Sequence, residues 1–191
     1  MWVTITSLEE AHLAAEGGAD AIIAQGAEAG GHRGGFEDDD HAPLPLAELL
    51  SAVAGLGPAV IAAGGIMDAS DVARARAAGA DAIQAGTAFL LAPEAGTSEV
   101  HRAAIAAPGV TVLTRAFSGR RARGIANEWT AGIGHDAPHA YPEVHHLTTP
   151  LRARGRSARD RDLVNLWAGT EHERARPAPA AEIVAELARG L

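Results

Sequence analysis

Cysteine is absent from the chain, and so is lysine. Without a thiol there is no disulfide, no thiolate metal ligand and no cysteine nucleophile. All 16 basic residues are arginines, which reads as a compositional bias rather than as chemistry. Aromatic side chains make up only 4% of the sequence, so any core must be built from Ala, Val, Ile and Leu. No apolar run reaches the ~18 residues that a membrane-spanning helix requires. The opening residues Met1–Ser7 lack the basic stretch and apolar run of a secretory signal, so a cytoplasmic location is expected. A formal net charge of −8 argues against nucleic acid or an anionic membrane as a partner.

What remains is enough for one domain. The chain has 191 residues, and 47% of them are hydrophobic, which supports a genuine core. Strand and helix signals alternate. Trp2–Thr6 reads as a β-branched strand, and Ser7 with Glu10 reads as a capping box opening a helix that stops at Gly17-Gly18. Strands are expected at Ala21–Ala24, Ala59–Ala62 and Ala82–Ala85. Helices are expected at Leu46–Leu56, at Val72–Ala78 behind an Asp68 or Ser70 cap, and at Glu94–Ala106. Gly18-Ala19-Asp20-Ala21-Ile22-Ile23 recurs as Gly79-Ala80-Asp81-Ala82-Ile83-Gln84, which marks the same helix-to-strand turn twice. Repeated βα units with apolar strands imply a parallel sheet with right-handed crossovers. Residues 1–107 thus form βα units, and residues 108–191 form a C-terminal extension. In the extension Val110–Leu113 reads as a strand, Arg115–Trp129 as irregular, Ala137–Pro150 as a loop, and Asp160–Ala168 and Ala180–Leu191 as helices.

Three glycine-rich segments follow the strands. The first is Ala24-Gln25-Gly26-Ala27-Glu28-Ala29-Gly30-Gly31-His32-Arg33-Gly34, the second Ala63-Gly64-Gly65-Ile66, and the third Gln84-Ala85-Gly86-Thr87-Ala88-Phe89. Glycines at such strand ends let backbone N–H groups approach a phosphate. The pair of turns at Gly64-Gly65 and Gly86-Thr87 matches the phosphate cradle of barrel enzymes, where Thr87 adds a hydroxyl donor. His32 is a candidate general base, with the glycines around it leaving room for a ligand. It is otherwise one of several solvated loop histidines. Gln25 either meets the edge of a nucleotide or flavin ring or makes a structural hydrogen bond to a neighbouring strand end. No metal site is expected. The acidic run Glu37–Asp40 beside His41 reads as a solvated turn, and His135, His139, His145 and His146 with Asp136 read as a surface loop. The arginines at 152, 154, 156, 159 and 161, broken by Asp160 and Asp162, read as a solvated helix face.

These segments resemble the nitronate monooxygenase family, formerly called 2-nitropropane dioxygenases. The hallmark is Ala24–His32, and Ala62–Ile66 and Gln84–Phe89 are similar to the family's two FMN-phosphate turns. Thr114-Arg115-Ala116-Phe117-Ser118-Gly119-Arg120 and Leu166-Trp167-Ala168-Gly169 resemble further family segments. The resemblance implies a (β/α)8 TIM barrel, of which this chain holds the last four βα units. It also implies non-covalent FMN and oxidation of nitronates or nitroalkanes by O2 to carbonyl compounds and nitrite. His32 would be the catalytic base. Gln25 and Gly30 would lie against the flavin, and Gly64, Gly65, Gly86 and Thr87 would bind its phosphate. Gln84 and Ala85 would line the same turn.

The family's four earlier βα units have no counterpart here, so Met1 is expected to fall inside a longer gene or to mark a truncated one. Such a half barrel should be unstable alone, or pair with another copy or a separately encoded N-terminal half. Two alternatives stand beside the oxygenase. One is an FMN-dependent enoyl-acyl-carrier-protein reductase, which has a similar Gly-Gly-His loop, although Gln25 stands where an acidic residue is expected there. The other is an inactive remnant or FMN-binding partner subunit.

Overall fold

The computed structural model describes residues 1–38, 40–134 and 136–191. Its centre is a four-stranded parallel sheet of β1 (Trp2–Ile5), β2 (Ala21–Gln25), β4 (Ala59–Ala63) and β5 (Ala82–Gln84), in that spatial order. Helices α1 (Leu8–Glu16), α2 (Leu46–Val53) and α3 (Ala69–Ala77) connect the strands. Ile5, Ile22, Val60 and Ala62 meet Ala11, Leu49, Leu50, Val53 and Val72 in the main core. The central strands β2 and β4 are short aliphatic runs because most of their side chains are buried. The repeated Gly-Ala-Asp turns each tie one strand to the next: the Ala59 N–H donates to the Asp20 carbonyl, and the Val60 N–H to the Asp81 carboxylate at 2.8 Å.

Local signals set most helix starts. The Ser7 hydroxyl accepts the Glu10 N–H, but Glu10 reaches back to Thr6 and forward to the Phe36 N–H rather than to Ser7. The expected capping box is therefore half formed, and Glu10 instead ties the end of β1 to the distant loop at Phe36. Asp68 and Asp71 form a complete box at α3. The Glu28 carboxylate accepts the Leu46 N–H at 3.0 Å, occupying an N-terminal donor of α2 that Pro45 cannot cap.

Beyond β5 the structure departs from the sequence reading in several elements. Arg115–Trp129 is not irregular: β7 (Ala122–Ile125) pairs antiparallel with β6 (Thr111–Thr114) and with the two-residue β3 (Gly31–His32). Helix α4 runs only over Glu99–Ile105, because Pro93 and Gly96 break the segment before it. The stretch Ala137–Pro150 is not a loop. Short α6 (Glu143–Leu147) is followed by α7 (Thr149–Ala158), with Pro142 and Pro150 at positions where a helix start needs no N–H. Asp160–Ala168 is not a helix; one 3-10 turn at Arg161–Leu163 leads into an extended segment whose Leu166 carbonyl accepts the Ile125 N–H at 2.9 Å. A short α5 (Glu128–Ile133) lies between β7 and α6. The last helix, α8 (Ala180–Ala188), buries Ile183 and Leu187 in the main core and ends three residues earlier than expected.

Asp68 carries a testable consequence. It caps α3 and pairs with Arg174 at 2.6 Å. The Ser70 side-chain hydrogen bond, helped by the Asp71 N–H and Arg174, holds its carboxyl down at about 2 from 3.8, against partial burial, which acts the other way. Asp68→Ala should lower unfolding stability at neutral pH by about 1 kcal/mol, the usual worth of such a cap. The carboxylate's contribution is present above pH 3.8 and lost as pH falls towards 2. Urea unfolding at a series of pH values should therefore show the deficit shrinking across that window.

Candidate active site

The C-terminal ends of β2, β4 and β5 open onto a cleft of about 140 Å³. Gln25, Gly30, Gly64, Gly65, Gln84, Ala85, Gly86 and Thr87 all line it, joined by Gly169 and Glu171 from the C-terminal extension. Gly64 has φ 115° and Gly65 φ 68°, a region that L side chains rarely adopt. A Cβ on Gly64 would also lie 2.9 Å from the Ala29 nitrogen. The N–H groups of Gly64, Gly65 and Gly86 donate to no acceptor among the described residues. Thr87 Oγ1 accepts the Gly169 N–H at 2.9 Å, which leaves the hydroxyl hydrogen to be donated into the cleft. Glu171 stands at its rim, 3.4 Å from the Arg174 guanidinium. Unpaired N–H donors beside a hydroxyl fit an oxyanion such as a phosphate.

His32 lies two residues beyond Gly30, on β3. It is half buried, between the rings of Tyr141 at 5.5 Å and Trp167 at 5.7 Å. Its Nε2 is 2.8 Å from Ser118 Oγ. Burial is the largest cause holding its pKa below 6.5, and the positive charges of His145, Arg120 and Arg152 add to it against the opposing charge of Asp38. Burial and these charges favour the neutral ring, the state that a base needs.

The glycines of this loop work differently from expectation. Cβ atoms on Gly30 and Gly34 would fall 2.5 Å from the Ala168–Gly169 backbone and 2.4 Å from the Thr4 side chain. These positions serve close packing, and among the loop's glycines only Gly31, at φ 77°, faces open space. The buried Arg33 guanidinium donates to the Gly26 and Gln25 carbonyls at 2.7 and 3.1 Å. Gln25 is likewise engaged. Its amide donates to the His32 carbonyl at 3.0 Å and accepts the Gly34 N–H at 2.8 Å. It thus braces the histidine loop while it lines the cleft.

The residues that the sequence reading did not assign are Ser118, Tyr141, Trp167, Gly169 and Glu171. Ser118, Trp167 and Gly169 do fall in the two C-terminal segments that carry the family resemblance. That signal located them without revealing their roles.

The candidate metal clusters resolve otherwise. Asp38 and Asp40 each pair with Arg115 at 2.8 Å, and His139 lies 3.6 Å from Asp38. Asp39 and His135 lie outside the described residues. Among the described residues, no group of three or more His, Asp or Glu side chains is placed to hold a metal ion. On α7, Arg154 and Arg156 are exposed, as is Arg159 at its C-terminal cap, but Arg152 is buried and donates to the His145 carbonyl.

The family model for nitronate monooxygenase matches residues 1–190. The chain belongs to the nitronate monooxygenase family. It is 41% identical to a nitronate monooxygenase of Pseudomonas aeruginosa, over 99% of this chain and 56% of that protein. It is 38% identical to a probable nitronate monooxygenase of Staphylococcus aureus, over 96% of this chain and 54% of that one. Among solved structures, nitroalkane oxidase from Streptomyces ansochromogenes superposes with a TM-score of 0.95 at 46% identity, covering 99% of this chain and 57% of that one. FabK from Thermotoga maritima follows at 0.80 and 26% identity, with 99% and 60% covered. The chain therefore spans a little over half the length of these family relatives and has the α/β architecture of a partial TIM barrel. No helix among the described residues is long and apolar enough to cross a membrane.

The environment of His32 predicts its titration. NMR of its ring carbons should give a midpoint below 6.5 in the folded protein, and a midpoint at or above 6.5 would contradict the geometry. Folding disfavours the charged ring, so His32 subtracts stability as pH falls below 6.5, and the penalty is complete once the folded-state ring is also protonated.

Proposed function

We propose that this chain carries the FMN-phosphate cradle and the catalytic base of an oxidoreductase that converts nitroalkanes or their nitronates to carbonyl compounds and nitrite. The observation that carries this reading is the cleft itself. Unpaired N–H groups of Gly64, Gly65 and Gly86 lie with the Thr87 hydroxyl in one cavity that Gly30 also lines, and His32 follows Gly30 by two residues on the same loop. These donors would hold the phosphate, and Gly30 would lie against the ring system. FMN, when bound, supplies the electron transfer that joins nitronate oxidation to O2.

The chain's own residues supply the proton chemistry. A nitroalkane loses the proton on the carbon bearing its nitro group, and the charge moves onto the nitro oxygens. Neutral His32 accepts that proton. Arg120, Arg152 and His145 depress the pKa of the ring, and the same positive field favours negative charge on the nitro oxygens. Tyr141 and Trp167 flank the ring and would confine a small aliphatic substrate beside it. A supplied nitronate bypasses the proton removal and needs only to be oriented there.

This division of labour separates two variants. His32→Ala should retain flavin, read from visible absorbance after purification. It should lose about 10²–10⁴-fold in nitrite release from nitroethane, the usual worth of a general base, and less from a preformed nitronate. Gly64→Ala should lose flavin, because its Cβ has no room and its φ is disfavoured. Undiminished nitroethane turnover in His32→Ala would overturn the assignment of the base. Full flavin retention in Gly64→Ala would overturn the assignment of the cradle.

A further inference from the structure

The hydroxyl of Ser118 is fully buried, with 0% of the residue exposed. It stands between two groups, His32 Nε2 at 2.8 Å and the Arg120 carbonyl at 3.0 Å. A hydroxyl has one hydrogen, and a carbonyl can only accept. The Ser118 hydrogen is therefore committed to the Arg120 carbonyl, and the oxygen facing His32 offers a lone pair. The opposite arrangement would set two oxygens 3.0 Å apart with no hydrogen between them.

The direction of the pair follows from this network, as histidine tautomers generally do. His32 donates from Nε2, and its Nδ1 carries the lone pair. Nδ1 has no hydrogen-bond partner among the described residues.

We infer that Ser118 is a positioning residue that locks His32 in its Nε2–H tautomer, so that Nδ1 is the atom that takes the substrate proton. The inference rests on His32 being the base, and it adds which nitrogen acts and what sets it. The surrounding chain supports the lock from both sides. The Arg120 side chain donates to the Arg33 carbonyl at 3.2 Å and to the Gly35 carbonyl. One arginine thus fixes the acceptor for Ser118 and ties down the loop that carries His32. The Ser118 N–H donates to the Arg115 carbonyl at 3.2 Å, and the Thr148 hydroxyl donates to the Phe117 carbonyl, so the serine sits on a braced turn.

The groups that bear on the ring's charge are His145 and Arg152 from α6 and α7, Arg120 from the turn before β7, and Asp38 from the loop after β3. None of these provides a hydrogen bond to either ring nitrogen. Ser118 alone, among the described residues, distinguishes the two nitrogens.

The test is the tautomer itself, read by long-range proton–nitrogen NMR on the chain labelled with ¹⁵N-histidine. It needs neither flavin nor turnover. The wild type should show one His32 form at a pH above its titration, with Nε2 protonated and Nδ1 bare. Ser118→Ala should give a mixture of tautomers and a lower His32 titration midpoint, because the lost acceptor favours the protonated ring. Ser118→Cys keeps a weak acceptor and should fall between the two, so partial recovery separates positioning from general disruption. Retained amide dispersion establishes that each variant is folded, and if Ser118→Ala does not fold, Ser118→Cys carries the comparison.

A wild-type ring protonated at Nδ1 would overturn the inference, and so would a tautomer unchanged in the folded variants. Failure of the base assignment looks different. There His32→Ala turns over nitroethane normally while the tautomer still responds to Ser118. Where both hold, Ser118→Ala should lower kcat for nitroethane by about tenfold or more, with a smaller change for a preformed nitronate.

Discussion

The arrangement depends on one close contact between backbones. Gly30 lies so near the Ala168–Gly169 peptide that a methyl group between them would sit 2.5 Å from its atoms. Gly169 in turn donates its N–H to Thr87, and the Thr170 N–H donates to the Glu28 carbonyl at 3.0 Å. These contacts clamp the C-terminal extension across the mouths of β2 and β5. Without them the parallel sheet would still present glycine turns, but the Trp167 ring would not reach His32, and the cleft would lose the wall that Gly169 and Glu171 form.

The clamp also explains why a histidine on a two-residue strand can be held precisely enough to act. β3 is too short to be stable alone, yet it pairs with β7 and is braced from its other side by Gln25. The Arg33 and Arg120 guanidiniums bond the carbonyls around it. Most of these partners are backbone groups, which do not titrate, so the loop should hold its shape across the pH range in which the histidine changes charge. The His101 side chain reaches the Trp167 carbonyl at 3.1 Å and steadies the aromatic wall in the same way.

How much of this was legible in the sequence follows from where each element finds its partners. β2 and β4 were readable because their burial is written into aliphatic runs, β1 because it is a β-branched run, and the twice-repeated Gly-Ala-Asp turn marked the entry to β2 and β5. The cleft-lining glycines were readable because they follow directly on those strands. β7 was hidden because Ala122-Arg123-Gly124-Ile125 resembles an arginine-rich loop. Its strand character comes from partners distant in sequence, and Arg123 itself donates to the Ala27 carbonyl at 2.8 Å. Residues 164–168 have a helical composition, but the bridge from Trp167 to Gly124 draws them extended. Pro142 and Pro150 read as loop markers, although at a helix start proline costs nothing. Ser118 was beyond reach for the same reason: its role is set by an oxygen-to-nitrogen distance across 86 residues of chain.

The central claim is that the glycine turns of this chain by themselves form a phosphate cradle for a flavin nucleotide. The most direct test is to add FMN to the ¹⁵N-labelled chain and follow the backbone amides. The account predicts that the amides of Gly64, Gly65, Gly86 and Thr87 shift together and saturate with FMN, while riboflavin, which lacks the phosphate, moves them far less. Amide shifts confined to other parts of the chain, or equal responses to FMN and riboflavin, would contradict it.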